Sequence, residues 1–238
     1  MLWMIGASAL GFSGEEIMAK VEETKSLRSK GFMEKEAPTF TKEMYEKAAK
    51  GGVVTGLVSV EGYKAKKAYG VGVVNTSIGK FYAAIGDDVS KPKYNRLSYA
   101  EVLKGGRCGE RREVFMYLPL SFLTDRYWVV ESRMNTGLMT ASGGKVREMT
   151  WSTIEPNIPE GRTARDYAAR GMKIEFARGG WWITELDPNH TLVEYWTWTD
   201  PGGYVPAGIA SSFAAGGIKD TFSATEKLAN DGSLCPVI

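Results

Sequence analysis

The chain has 238 residues, 43% of them hydrophobic and 24% charged. That is enough to bury one substantial core, and the composition is neither that of a disordered nor of a fibrous protein. Its 30 basic and 28 acidic residues leave a formal charge of +2 and are spread along the chain, so no cationic stripe exists to neutralise a phosphate backbone. Nucleic acid is excluded as a partner on that ground.

Cys108 and Cys235 are too few for a disulfide scaffold and lack the CxxC spacing of a zinc site. The plainer reading is two unpaired small hydrophobes; the other is one bridge tying the C-terminal tail to the body. The sole histidine, His190, sits in the turn-like Asp187-Pro188-Asn189-His190, so neither a metal nor another cofactor is expected. All of the 7 tryptophans except Trp3 lie in the C-terminal half, which suits a thick core or the wall of a cavity.

In chain order, residues 2–12 form an apolar run of signal-peptide length that is too short to span a bilayer and has no basic residue before it. It reads as a clipped signal sequence or as an apolar arm. Residues 1–14 are therefore set apart from a single domain over 15–238, and an exported or periplasmic location is favoured over a cytoplasmic one. Ser13-Gly14-Glu15-Glu16 has the S-x-x-E form of a capping box and opens a helix that runs to about Lys30, with Gly31 as its stop.

The charged stretch 31–50 is a connection with one further helical turn around Met44 and Tyr45. Residues 53–60 and 64–74 read as a hairpin, and 77–85 as a short helix ending at Gly86-Asp87-Asp88. Strands are then expected over 97–103, 110–118, 127–134 and 145–154. A loop rich in Pro, Gly and Arg spans 155–165, and further strands cover 173–177, 181–186 and 191–199. Roughly nine strands in succession argue for one strongly curved antiparallel sheet. Pro206 then opens a C-terminal helix of about 23 residues. Its apolar positions Val205, Ile209 and Phe213 are four apart, and Ile218 and Phe222 repeat that spacing after Gly216-Gly217.

Two segments carry a family resemblance. Leu118-Pro119-Leu120-Ser121, followed by Thr124-Asp125-Arg126-Tyr127-Trp128-Val129-Val130, resembles the part of START lipid-transfer domains where a proline loop leads into a strand headed by Asp-Arg. A Trp-containing strand ending at Leu186, a hairpin, the strand 193–199 and then Asp200-Pro201-Gly202-Gly203-Tyr204-Val205-Pro206 resemble the junction before the family's last helix. The match runs over about residues 53–229.

The resemblance to START domains, members of the Bet v 1-like (SRPBCC) superfamily, implies an α+β helix-grip fold. In it, a curved antiparallel sheet wraps a long C-terminal helix and leaves an internal hydrophobic cavity. It also implies a lipid, such as a sterol or phospholipid, carried without chemical change and collected in transient contact with a membrane.

The ligand-binding positions implied are Trp128, Val130 and Ser132 on one strand, Tyr195 and Thr197 on the last strand, and Ile209 and Phe213 on the helix. The gate would comprise Leu120 and Phe122 in the loop, with Gly216 and Gly217 easing the helix. Sterol-carrying members pair a buried acid with an arginine; here the acid falls on Glu113, but the arginine position falls on Ser132. Glu113 also reads as a solvated residue of the charged run Glu110-Arg111-Arg112-Glu113.

Alternation on the last strand puts either Tyr195 and Thr197 or Trp196 and Trp198 inward. The resemblance favours the former, leaving Trp196 and Trp198 as an exposed aromatic patch. Arg162, Arg165 and Arg170 with Asp166 read as a solvated face or as a site for an anionic head group. The glycine of Val71-Gly72-Val73 lacks the following helix that a dinucleotide site requires. Two other functions remain open: a polyketide cyclase or aromatase on the same fold, and an interaction module using the Trp196 and Trp198 patch.

Overall fold

The computed structural model describes residues 11–32, 36–203 and 217–237. The first helix, α1 (Gly14–Thr24), starts at the capping box: the Ser13 side chain accepts from the Glu16 amide, and the Glu16 carboxylate accepts from the Ser13 amide. A 3-10 segment, Lys25–Lys30, extends it to Gly31. The segment around Met44 and Tyr45 is a full helix, α2 (Lys42–Ala49), capped by Thr41.

The sheet is built from β1 (Val53–Val58), β2 (Lys67–Val74), β3 (Tyr99–Lys104), β4 (Arg111–Leu118), β5 (Arg126–Met134), β6 (Val146–Thr153), β7 (Met172–Lys173), β8 (Phe176–Asp187) and β9 (His190–Asp200). The spatial order is β1-β2-β9-β8-β6-β5-β4-β3, antiparallel throughout this path, with the short β7 pairing parallel to β5. Between β2 and β3 the chain crosses to the far edge of the sheet through α3 (Ile78–Gly86). Two short helices also form, α4 (Thr136–Ala141) between β5 and β6 and α5 (Thr163–Ala168), which begins at the end of the expected loop 155–165. The last described helix is α6 (Gly217–Asp231). Pro206 and the helical turns expected from it lie outside the described residues.

The two expected strands 173–177 and 181–186 are instead the two-residue β7 and one long strand, β8, that runs straight through Gly179-Gly180. A Cβ on Gly179 would fall 2.3 Å from the Trp151 ring, so this glycine makes room for an indole rather than a turn. Gly70 and Gly72 likewise seat α6 against β2: a Cβ at Gly70 would come within 2.6 Å of Ile218, and one at Gly72 within 3.3 Å of Phe222.

The outer face is covered in three places. Helices α1 and α2 pack Ile17, Tyr45 and Ala48 over Val71, Val73 and Leu192. Helix α5 covers Phe115, Tyr117 and Val129. Trp182, Trp196 and Trp198 are buried with Leu27, Val60, Ala65 and Tyr69. Trp196 and Trp198 therefore do turn away from the sheet's inner face, but they are only 3% and 6% exposed. The expected aromatic patch does not exist, because the N-terminal segment and the β1–β2 connection lie over it, with Lys67 above both rings.

Candidate ligand cavity

Between the inner face of the sheet, α6 and the segment that follows α3 lies a cavity of about 820 Å³, within the range that encloses a small organic ligand. Its aromatic wall is Trp128, Trp151, Trp181 and Tyr195. Met116 and Leu118 enter from β4, and α6 closes the opposite side with Ile218, Thr221, Thr225 and Leu228. These helical positions follow the 3- and 4-residue spacing of one face. Tyr195 stacks on Trp151 at 5.6 Å, and burial pushes its hydroxyl pKa up, so it enters the cavity as a neutral group.

Of the positions implied by resemblance, Trp128, Ser132, Tyr195, Thr197, Leu120 and Gly217 line this space. Val130 shares their strand face but is fully buried opposite Val114 and does not line the cavity. Glu113 is a correction. Strand alternation on β4 sends Arg112, Val114 and Met116 inward and Glu113 outward, where it reaches Lys104 at 3.5 Å. Phe122 is fully exposed at φ 68, an uncommon conformation for a residue with a side chain. Its loop is held by Asp125, which accepts from the Leu120 amide at 2.9 Å and from the Tyr117 hydroxyl at 2.6 Å. Burial and that carboxylate push the Tyr117 pKa up to about 12. Ile209, Phe213 and Gly216 lie outside the described residues.

Arg162 and Arg165 are also placed away from the cavity: Arg162 donates to the Val102 and Leu103 carbonyls and Arg165 pairs with Glu160. Arg170 stacks on Tyr167 on the outer face. His190 is the first residue of β9 and is paired with Asp187 at 2.9 Å.

Two polar features of the cavity escape sequence reasoning. At one end, Asp88 accepts from Arg112 Nε at 2.8 Å and from Lys91 Nζ at 2.5 Å, and Ser132 stands opposite Arg112 on the neighbouring strand. Asp88, Lys91 and Ser132 face the cavity. Burial alone would push the Asp88 carboxyl up, but Lys91 and Arg112 hold it below its ordinary value.

At the other end of β5, Arg126 lines the cavity while only 3% exposed. Its guanidinium donates to the Pro201 carbonyl at 2.7 Å, to the Gly202 carbonyl at 3.2 Å and to the Thr124 carbonyl. Arg126 thus ties together the two segments that carry the resemblance. Gly202 and Gly203, at φ 64 and 61, supply the backbone conformation that this junction needs.

The bridge Cys108–Cys235 joins the β3–β4 connection to the tail after α6, so the reading of two unpaired thiols does not hold. The buried Asp87 reinforces the joint, accepting from the Leu234 amide at 2.8 Å and pairing with Arg107 at 3.0 Å.

No protein-family model matches the chain, and no curated protein matches it. Solved structures do. A STAR-related lipid transfer protein fragment from Xanthomonas axonopodis aligns with a TM-score of 0.61 at 16% identity, covering 75% of this chain and 94% of that one. Human STARD10 aligns at 0.61 and 12% identity over 88% of this chain and 79% of its own. Human StAR-related lipid transfer protein 5 aligns at 0.59 and 12% identity over 90% and 98%. At this identity the likeness is one of architecture, and the chain has the α+β helix-grip fold of START domains.

Proposed function

We propose that the protein is a non-enzymatic carrier that encloses one hydrophobic ligand, a lipid, between its sheet and α6. The observation that carries this reading is the cavity of about 820 Å³ with its aromatic and methionine walls. Removing a ligand from water into such walls supplies about 25 cal/mol per Å² of apolar surface, enough for capture without chemistry. The solved structures of lipid-transfer proteins with the same architecture support it.

The loop carrying Leu120 and Phe122 is the proposed contact with a membrane, since Phe122 is a fully exposed aromatic on a loop whose neighbour Leu120 lines the cavity. An exported location fits the apolar residues 2–12 and the Cys108–Cys235 bridge, because disulfides persist in oxidising compartments.

Native mass spectrometry of protein purified from its host tests the carrier reading. A co-purified apolar mass is expected from the wild type. Ala224→Trp, which projects an indole from α6 into the cavity, should lose that mass while remaining folded. An empty wild-type protein that also takes up no added lipid would overturn the reading.

A further inference from the structure

The two polar ends of the cavity differ in how their cations are paired. Lys91 and Arg112 both form ion pairs with the one carboxylate of Asp88. Arg126 has no carboxylate within ion-pairing distance among the described residues. Asp125 accepts hydrogen bonds from Tyr117 and Leu120 and acts on Arg126 only through space, and Asp200 accepts from the Gly202 amide. Residues 204–216, which continue the chain from this end, contain no Asp or Glu.

A guanidinium has five N–H donors, and backbone carbonyls take three of them here. Carbonyl dipoles orient the group without neutralising it, and an isolated charge in an apolar wall is costly. Desolvation lowers the Arg126 pKa and the charge of Asp125 offsets part of that, although a guanidinium stays protonated in any case. An anionic ligand group would supply a direct counter-charge through charge-assisted hydrogen bonds to the remaining N–H donors.

We infer that Arg126 is the anion site of the cavity and that the cargo is a single-chain amphiphile with a carboxylate head. The head lies against Arg126 beside the Pro201-Gly202 turn. The tail runs past Trp128 towards Ser132. Arg126 and Ser132 lie on the same face of β5 six residues apart, about 20 Å at the usual strand rise, which matches an extended long-chain fatty acid. This inference rests on the carrier reading and narrows it from any lipid to an acid.

Palmitate and hexadecanol, which share a chain and differ in the head, are the probes, each measured by displacement of a fluorescent fatty acid. Wild type should bind palmitate roughly tenfold or more tighter, and Arg126→Gln should bring the two to equal affinity. Because Arg126 also holds the 201–203 turn, circular dichroism checks the variant's fold, and a crystal structure of wild type with palmitate locates the carboxylate directly. Equal wild-type affinities, or a carboxylate found at Lys91 and Ser132, would overturn the inference and leave the carrier reading standing. Failure of both probes to bind would also overturn the inference, while the carrier reading is decided separately by the co-purified mass.

Discussion

Arg112 Nε donates to Asp88 Oδ2 at 2.8 Å, and neither side chain is open to solvent. Breaking such a pair by neutralising one partner leaves the other charge buried. Asp88→Asn strands both Arg112 and Lys91 and should lower stability by about 3–5 kcal/mol at neutral pH, read by urea denaturation. The pH dependence has a definite sign. The folded-state pKa of Asp88 lies below its unfolded value, so its contribution is fully present above about pH 4 and is lost as pH falls further. The variant should show less acid sensitivity in that window than wild type, and identical acid profiles would contradict the assignment.

Reduction of Cys108–Cys235 should lower the melting temperature. The bridge closes a sequence separation of 127 residues, and loops of this size are stabilised by about 2–5 kcal/mol when cross-linked. Scanning calorimetry with and without reductant, and of the double variant Cys108→Ser/Cys235→Ser, measures this. Unchanged transitions would show that the Asp87 contacts alone hold the tail.

Gly179→Ala places a methyl 2.3 Å from the Trp151 ring and 2.4 Å from the Trp196 carbonyl oxygen. The backbone oxygen cannot move aside cheaply, so the substitution should cost about 1–3 kcal/mol by overpacking. It should also disturb the wall of the cavity, visible in the near-UV signal of the tryptophans. A neutral or stabilising outcome is incompatible with a close-packed β6–β8 contact.

Glu113 and Met116 stand on opposite faces of β4, which makes them a matched test of the cavity's position. Glu113→Gln removes a surface ion pair with Lys104 and should change stability by less than about 0.5 kcal/mol, with uptake of a fluorescent fatty acid unchanged. Met116→Glu projects a charge into the cavity and should reduce that uptake strongly. Equal effects of the two variants would mean that the faces are assigned the wrong way round.

The succession of antiparallel strands, the capping box at Ser13 and the helix containing Ile218 and Phe222 were legible in the sequence, because alternation, capping and helical spacing are local properties of the chain. The Asp125-Arg126 and Asp200-Pro201-Gly202-Gly203 segments also carried the fold, since short polar and glycine signatures mark turns whose backbone few other residues can adopt. Sequence reasoning did not see that Gly179-Gly180 continues a strand. A glycine that accommodates a distant ring has the same local signature as one that turns the chain.

It placed Glu113 at the ligand because its alignment gave a position without a face, and one residue along a strand reverses the side of the sheet. Asp88 and Lys91 share the turn after α3 while Arg112 lies 24 residues beyond Asp88 on β4, and their meeting is a product of the chain crossing the sheet through α3. The bridge from Cys108 to Cys235, the covering of Trp196 and the hold of Arg126 on the Pro201 and Gly202 carbonyls are likewise relations between residues remote in sequence. Local physics chose the elements; which charges and rings share a wall was decided only when the sheet and α6 packed together.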